Sequence, residues 1–380
     1  MNRVPVKPEL IQWALDRSGK YPDMLAKKLP KIEEWLAGEL SPTLKQLETF
    51  AKATYTPIGF LFLPEPPDEQ VPIPDFRTMA AEYFDRPSPD LLDTIYICQQ
   101  RQEWYRDFER SMGGDPLPFV GSAQLTDDVI QTAAFMRKAL GFNIEERKKM
   151  RTWADALRRF IEQADLLGIL VMVSGVVGSN NRRKLDPHEF RGFALSDKLA
   201  PLVFINGADT KSAQMFTLAH EIAHVWIGET AISDAEAVRT SNNRVERWCN
   251  QVAAELLVPL DAIISAYNGD SYLSDEMDRL ARQFKVSTLV ILRRIHDAGG
   301  LTRDELWDAY NSELERLLSI PKGSGGNFYL TQAARVSKRF ARALIISTLE
   351  GQTLHRDAFR MLGFSKHSTF LELGYSLGVM

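Results

Sequence analysis

Residues 214–227 read Gln-Met-Phe-Thr-Leu-Ala-His-Glu-Ile-Ala-His-Val-Trp-Ile, a mostly apolar stretch that contains two histidines and a glutamate. Residues four apart on an α-helix share a face, so the imidazoles of His220 and His224 point the same way. Glu221 lies between them, most other positions are apolar, and no Pro or Gly occurs before Gly228. The pattern predicts a buried helix that presents two imidazoles and a carboxylate.

The spacing H-E-x-x-H suits metal-dependent hydrolysis. Two neutral imidazole nitrogens on one face supply half of a tetrahedral zinc site. Glu221 is placed to take a proton from a water on the zinc. A second interpretation stays open, in which the helix is only structural and both histidines hydrogen-bond to neighbours in the core.

A second apolar helix is predicted at residues 245–259, which read Val-Glu-Arg-Trp-Cys-Asn-Gln-Val-Ala-Ala-Glu-Leu-Leu-Val-Pro. A carboxylate from this helix would complete three protein ligands and leave the fourth position for water. Glu246 is the preferred ligand; its rival Glu255 shares a face with it but lies in the aliphatic run near the helix end. Asn250, one turn beyond Glu246, is predicted to hydrogen-bond a ligating histidine.

These two stretches resemble the ImmA/IrrE family of zinc metallopeptidases. The resemblance is carried by Thr217-Leu-Ala-His-Glu-Ile-Ala-His224 and by Glu246-x-x-Cys-Asn250-x-x-Ala-Ala-Glu-Leu-Leu-Val-Pro259. It implies a gluzincin-like site with zinc on His220, His224 and Glu246 and with Glu221 as general base. It also implies a narrow protein substrate, a transcriptional repressor or similar regulator, in a stress, mobile-element or toxin–antitoxin setting.

Length and composition indicate a globular protein of two or three domains. The 380 residues exceed the size of a single core, and 44% hydrophobic and 25% charged residues are ordinary values. A net charge of −4 argues against a protein that coats nucleic acid generally. Cys98 and Cys249 stand in apolar helical contexts and are expected to be reduced. Without a long apolar run or a signal core, we expect a cytoplasmic protein that does not enter a membrane.

Residues 8–63 predict five short helices separated by tight turns. This arrangement resembles a helix-turn-helix DNA-binding domain of the Cro/repressor type. The segment expected to read DNA carries Glu33 and Glu34, where base-reading or phosphate-binding groups are usual. Operator binding, aided by a small basic edge of lysines, and a helical docking module of the same fold therefore both stay open.

The predicted fold is α+β and mostly helical, with a small sheet in the metallopeptidase domain and a helical C-terminal domain. The predicted divisions are a helix-turn-helix domain at 1–63, a proline-rich linker at 64–88, the metallopeptidase at 89–265, a helical scaffold at 266–320 and a helical tail at 321–380 after a flexible break at 321–326. Because apolar residues alternate with prolines in the linker, we expect it to lie in ordered form along the next domain.

Three strands are predicted before the metal helix, at Ile169–Val173, Arg191–Ser196 and Pro201–Asn206. An edge strand beside such a helix can hold a substrate's main chain in extended form. Residues 191–196 or 202–205 are the candidates for this edge. On the first of them, Arg191, Phe193 and Leu195 are predicted to bind substrate.

Three functions follow from these patterns. A zinc-dependent endopeptidase is the leading hypothesis. The alternative is an antitoxin-like regulator, in which residues 8–63 bind operator DNA and the body binds a toxin partner without proteolysis. A non-proteolytic zinc hydrolase is the third, because a fold and its ligands do not fix the substrate.

Overall fold

A computed structural model describes residues 3–76, 86–233, 243–318 and 334–380. The chain divides into two compact units, of which the first is Met1–Pro72 with Phe84–Asp93 and the second is Ile73–Tyr83 with Thr94–Met380. The predicted break at 321–326 and residues 77–85 of the predicted linker lie outside the described residues. The finer domain divisions stay predictions.

The first unit is built from short helices around a small apolar core. They are α1 (Pro8–Ser18), α2 (Pro22–Ala26), α3 (Ile32–Leu36) and α4 (Leu44–Ala53), followed by a 3-10 helix at Ile58–Phe62. Thr43 and Gln46 form a capping box at the start of α4, which fixes where that helix begins. Trp35 and Phe50 pack edge to face in the core. The helix-turn-helix assignment of this unit stays a prediction.

Residues 64–69 are fastened to the first unit by charged side chains. Arg17 pairs with Glu69 and donates a 2.8 Å hydrogen bond to the Tyr55 carbonyl oxygen. Lys7 Nζ donates to the Pro64 carbonyl oxygen at 2.5 Å. This part of the proline-rich linker is therefore ordered, but it is held by the preceding helices and not by the next domain, along which the sequence predicts it to lie.

The second unit contains the remaining helices. In chain order they are α5 (Pro89–Ser111), which starts among residues of the first unit, α6 (Val129–Leu140), α7 (Ile144–Lys148), α8 (Trp153–Leu167), α9 (Lys211–Ile227), α10 (Arg244–Leu257), α11 (Leu260–Ala266), α12 (Leu273–Phe284), α13 (Thr288–Asp297), α14 (Arg303–Leu318), α15 (Lys338–Leu349), α16 (His355–Leu362) and α17 (His367–Leu377). Side-chain caps from Asp128 and Thr152 start α6 and α8.

A four-stranded mixed sheet crosses the second unit. Its strands are β1 (Leu170–Ser174), β2 (Gly192–Leu195), β3 (Leu202–Asn206) and β4 (Ala231–Ser233), in the order β1-β3-β2-β4. β1 is parallel to β3, whereas β2 is antiparallel to both β3 and β4. The predicted α+β class with a small sheet is confirmed. The first three strands are those the sequence predicts, and β4 was not predicted.

The helix α9 lies at the centre of this unit. It packs against β2 and β3 on one side and against α8 and α10 on others. Every residue from Gln214 to Trp226 is buried, which explains why the helix is apolar almost all round. The polar side chains on α9 are therefore enclosed by protein.

The basic residues of the C-terminal helical segment are used within the second unit. Lys338 pairs with Glu162 at 2.9 Å, and Arg339 donates to the Tyr105 hydroxyl at 2.6 Å. Arg342 donates to the Leu377 carbonyl oxygen at 3.1 Å. These contacts fasten α15 to the rest of the unit.

No single helix in the described ranges is both long and apolar enough to cross a membrane. The helices α10 and α11, whose axes differ by 52°, reach the length and apolar composition of a membrane span only when they are taken together.

Candidate metal centre

The helix α9 begins and ends where its sequence predicts. The Thr210 side chain accepts a 3.2 Å hydrogen bond from the Ala213 N–H and so caps the first turn. Gly228 ends the helix with a φ of +77°, a conformation that suits glycine. These caps fix the register in which His220, Glu221 and His224 are presented.

The two histidines point into the same small volume. Their Nε2 atoms are 3.0 Å apart, and both side chains are completely buried. Glu246 approaches from α10, whose first turn is capped by Asn243. Its Oε2 lies 3.2 Å from His220 Nε2 and its Oε1 lies 3.0 Å from His224 Nε2. The structure thus brings together the three residues that the sequence selects as ligands.

This donor set fits a small divalent cation. Ligand atoms of a tetrahedral zinc site are about 3.3 Å from one another, given Zn–N and Zn–O distances of about 2.0–2.1 Å. The three atoms here lie within 4.8 Å of one another, with the closest approaches near 3 Å. In the described part of the chain, the group that could hold a metal ion consists of His220, His224 and Glu246.

The charge state of Glu246 also suits a ligand. Burial alone would raise its pKa, but the adjacent His220 and His224 lower the pKa to about 2. Glu246 is therefore a carboxylate throughout the physiological range. One negative ligand with two imidazoles is a usual combination for zinc in hydrolytic sites.

Glu221 is oriented by a residue that the sequence analysis missed. Ser233, at the end of β4, donates a 2.5 Å hydrogen bond from its hydroxyl to Glu221 Oε1. The second oxygen, Oε2, is buried and accepts no hydrogen bond from the residues that the structure describes. Burial raises the pKa of Glu221 to about 8, opposed by His220 and by Ser233. One oxygen is held in place and the other is left to exchange a proton.

Space for the Glu221 carboxylate comes from a glycine opposite Ser233. Gly192 of β2 is the cross-strand partner of Ser233. A Cβ atom at Gly192 would lie 3.1 Å from Glu221 Oε1 and 2.8 Å from the Phe204 carbonyl oxygen. Any side chain here would press on the carboxylate or on the neighbouring strand.

Asn250 lies beside His220, where the sequence placed it. Burial lowers the pKa of His220, but Glu246 and, more weakly, the Asn250 side chain raise it, and the net shift is upward. Among the described residues, neither His220 Nδ1 nor Asn250 Oδ1 has a hydrogen-bond partner. The two groups are neighbours, and their predicted hydrogen bond stays a prediction.

Glu255, the rival ligand, is used elsewhere. Its Oε2 lies 2.5 Å from Arg294 Nη2 in a buried ion pair, and it also accepts from the Leu260 N–H at 3.2 Å. It joins α10 to α13 and is absent from the group that converges on the two histidines. Glu246 is the carboxylate that reaches them.

The predicted substrate edge is wrong. β2 is hydrogen-bonded to β3 on one side and to β4 on the other, and β3 is also interior. Phe193 and Leu195 are buried, and Arg191, which is only partly exposed, lies 3.9 Å from Asp209. Continuous apolar strands do not show which of them lies at an edge, and for this reason the sequence misplaced it.

The true neighbour of the metal group at the sheet edge is β4. Beyond it, Phe76 follows a short main-chain pairing with Ile232, and its ring centroid lies 6.4 Å from that of His224. The alternation of apolar residues with prolines predicted an ordered linker, but nothing in the sequence placed Phe76 beside the histidines.

Comparison with known proteins agrees with this site. Residues 164–296 match the family model of a peptidase family described as the IrrE N-terminal-like domain. Residues 336–375 match a second model, described as a domain of unknown function (DUF8813). No curated protein matches the chain. The first match spans the strands and helices that supply His220, Glu221, His224 and Glu246, and it supports a peptidase of the ImmA/IrrE type in this part of the chain.

Proposed function

We propose that the second unit is a zinc-dependent endopeptidase that cleaves a transcriptional repressor or a similar regulator. One observation carries the proposal: the ligand atoms of His220, His224 and Glu246 converge next to Glu221, whose Oε2 accepts no hydrogen bond within the described ranges. The match of residues 164–296 to a peptidase family supports the reaction class. The regulator substrate follows from the ImmA/IrrE resemblance.

The protein groups divide the work of peptide hydrolysis. Zinc, when bound, supplies Lewis-acid activation of water and of the peptide carbonyl. Glu221 Oε2 accepts the proton of the attacking water and returns it to the leaving amine. Ser233 holds the other oxygen of Glu221, so that the carboxylate does not have to reorient between the two transfers. The enclosed site strengthens each of these electrostatic interactions.

Metal content tests the ligand set directly. We expect about one zinc per chain in the purified protein by elemental mass spectrometry, because three protein ligands are present. Glu246→Gln should lose most of this zinc, whereas Glu221→Gln should keep it. Glu145→Gln, which alters an exposed acid paired with Lys148, is the matched control. Equal zinc in the Glu246 variant and the control would remove Glu246 from the site.

Cleavage of a regulator tests the activity. Candidate repressors encoded beside the gene are incubated with the zinc-loaded chain, and the products are identified by mass spectrometry. The Glu221→Gln variant should bind zinc and cut nothing. Cleavage that persists in this variant would show a contaminating protease or a different base.

Operator DNA and a toxin as partners stay predictions. Lys27, Lys28 and Lys31 are exposed on the first unit, and Lys31 lies 3.7 Å from Glu34. A mobility-shift assay on the upstream DNA, repeated with these three lysines changed to glutamate, measures operator binding. Loss of a shift in the variant would support it, and no shift with the unsubstituted chain would refute it.

A further inference from the structure

We propose that residues 74–76 occupy the outer edge of β4, where the main chain of an extended peptide substrate would pair, as an internal competitor. The inference rests on the proposed peptidase function and adds to it the strand that binds substrate and a segment that blocks it.

β4 is the outer strand of the sheet that lies next to Glu221. β1 and β4 are the two outer strands of the order β1-β3-β2-β4. Ser233 of β4 contacts Glu221 directly, whereas β1 is three strand positions away, or about 14 Å at the usual spacing. An extended peptide that reaches Glu221 by joining the sheet must therefore join at β4.

The hydrogen-bonding groups of β4 show what such a peptide would use. In a β-strand, successive residues turn their N–H and C=O groups to opposite sides. Ser233 turns its carbonyl oxygen towards β2, where the Arg191 N–H donates to it at 3.4 Å. Within Ala231–Ser233, Ile232 thus turns its main-chain groups outward, and these form the docking site.

Both outward groups of Ile232 are already taken by the protein itself. The Ile232 N–H donates to the Pro74 carbonyl oxygen at 3.0 Å, and the Phe76 N–H donates to the Ile232 carbonyl oxygen at 3.0 Å. Asp75 is thereby paired with Ile232 in parallel orientation. Residues 74–76 make the contacts that an added substrate strand would make.

The same segment lies against the metal group. The Phe76 ring is inclined by 31° to the His224 ring, with their centroids 6.4 Å apart. The main-chain pairing and the aromatic contact lie on consecutive residues, so the segment covers the sheet edge and one side of the histidine pair together.

The pairing between residues 74–76 and β4 is short. Proline has no N–H group and is poorly tolerated where a strand must pair continuously. Pro72 and Pro74 therefore prevent the pairing from extending towards the N-terminus, and two main-chain hydrogen bonds are left. A substrate that can pair over more residues would displace residues 74–76, which gives the site selectivity for long extended segments.

Phe76→Pro weakens the pairing of the segment with β4, because it removes one of the two main-chain hydrogen bonds to Ile232 and the ring that lies beside His224. Gln70→Pro is the matched control, since it adds a proline to the same exposed linker and leaves that donor intact. Both changes are made in the zinc-loaded full chain with Glu221→Gln, so that binding is measured without cleavage. The probe is a fluorescein-labelled peptide with the sequence of residues 71–77, Val-Pro-Ile-Pro-Asp-Phe-Arg.

We expect Phe76→Pro to bind the probe at least about tenfold more tightly than the parent chain, because a tethered competitor acts at a high effective concentration. Gln70→Pro should bind like the parent. Equal affinities for all three proteins would overturn the proposal. Hydrogen exchange at the Ile232 amide provides a measurement that needs no variant: it should be slow in the unsubstituted chain, and exchange at the rate of a free edge amide would also overturn the proposal.

These results separate the inference from the function on which it rests. A zinc-loaded chain that cuts a regulator, but whose Phe76→Pro variant binds no better than the parent, would retain the peptidase and exclude the competitor. A chain without zinc or cleavage, in which Phe76→Pro still raises probe affinity, would retain β4 as a peptide-docking edge and exclude the peptidase.

Discussion

At the scale of single residues, Ser233 decides how Glu221 can act. A carboxylate that must both take and give a proton needs one oxygen directed at the substrate through both steps. The Ser233 hydroxyl holds Oε1, and Gly192 leaves the space in which the carboxylate lies. Neither residue touches the predicted ligands, so both act through Glu221 and are positioning residues.

Ser233→Ala should therefore lower kcat by about tenfold, a part of the roughly 10²–10⁴-fold that general acid–base catalysis contributes, and leave KM and zinc content unchanged. Kinetics on the cleaved regulator measure this. Ser174→Ala is the control, because Ser174 is another buried serine of the same sheet and its hydroxyl, within the described part of the chain, hydrogen-bonds to the Val176 main chain. A fall in zinc content in step with kcat would instead make Ser233 a structural support of the metal group.

Asp165 gives the second unit a pH-dependent stability. Burial raises its pKa from 3.8 to about 6, although Ser337 donates to it at 2.9 Å. An acid whose folded pKa is raised binds an extra proton in the folded state, so the stability present below about pH 4 is lost as the pH rises through 6. The loss is on the order of 2–3 kcal/mol, since each pKa unit corresponds to about 1.4 kcal/mol.

Asp165→Asn removes this titration, and the free energy of unfolding should then change less between pH 4.5 and pH 7. Urea denaturation at several pH values measures the slope. Ser337→Ala should make the slope steeper, because it removes a hydrogen bond to the ionised carboxylate. An unchanged slope in Asp165→Asn would assign the pH dependence to other groups.

At the scale of elements, the sequence predicts what is local. α1 begins at Pro8 and ends before Gly19, two residue types that mark helix ends locally, and α9 is defined by Thr210 and Gly228 at its ends. His220, Glu221 and His224 are placed by helix geometry alone. Glu246 can be predicted because it too lies on an amphipathic helix, whose inner face is identified from the spacing of its apolar residues.

What the sequence could not predict depends on pairing between distant strands. β4 is only three residues long, so no alternation can identify it. β1, β2 and β3 are buried almost throughout, and their apolar runs do not reveal their order. Ser233 and Phe76 lie beside the site because this strand order places β4 next to Glu221. The interior position of β2 therefore removes the edge on which the predicted substrate binding by Arg191, Phe193 and Leu195 was based.

The helix pair α10 and α13 depends on one buried ion pair. Glu255 and Arg294 are almost fully enclosed and lie 2.5 Å apart. Removing Glu255 leaves the buried Arg294 guanidinium with Asp297, 3.0 Å away, in place of two carboxylates. Glu255→Gln should lower the free energy of unfolding by about 3 kcal/mol in urea denaturation. Zinc content should not change, because Glu255 is outside the metal group. Loss of zinc together with stability would mean that α10 moves when this pair is broken.

At the scale of the whole molecule, the chain has two compact units with separate apolar cores. His220, His224 and Glu246 all belong to the second unit, and among the described residues they are the group that could hold a metal ion. A ligand that binds only the folded state stabilises the structure that contains its site. Metal binding should accordingly stabilise the second unit and leave the stability of the first unit unchanged.

We expect calorimetry to show two unfolding transitions, of which chelation of zinc lowers only the larger. Zinc held at a thousand times its dissociation constant contributes about 4 kcal/mol to the second unit, enough to move its midpoint by several degrees. Glu246→Gln should lower the same transition and make it insensitive to the chelator, which identifies it. A chelator that moves both transitions, or moves the larger one equally in Glu246→Gln, would mean that the stabilising metal is not bound at these three residues.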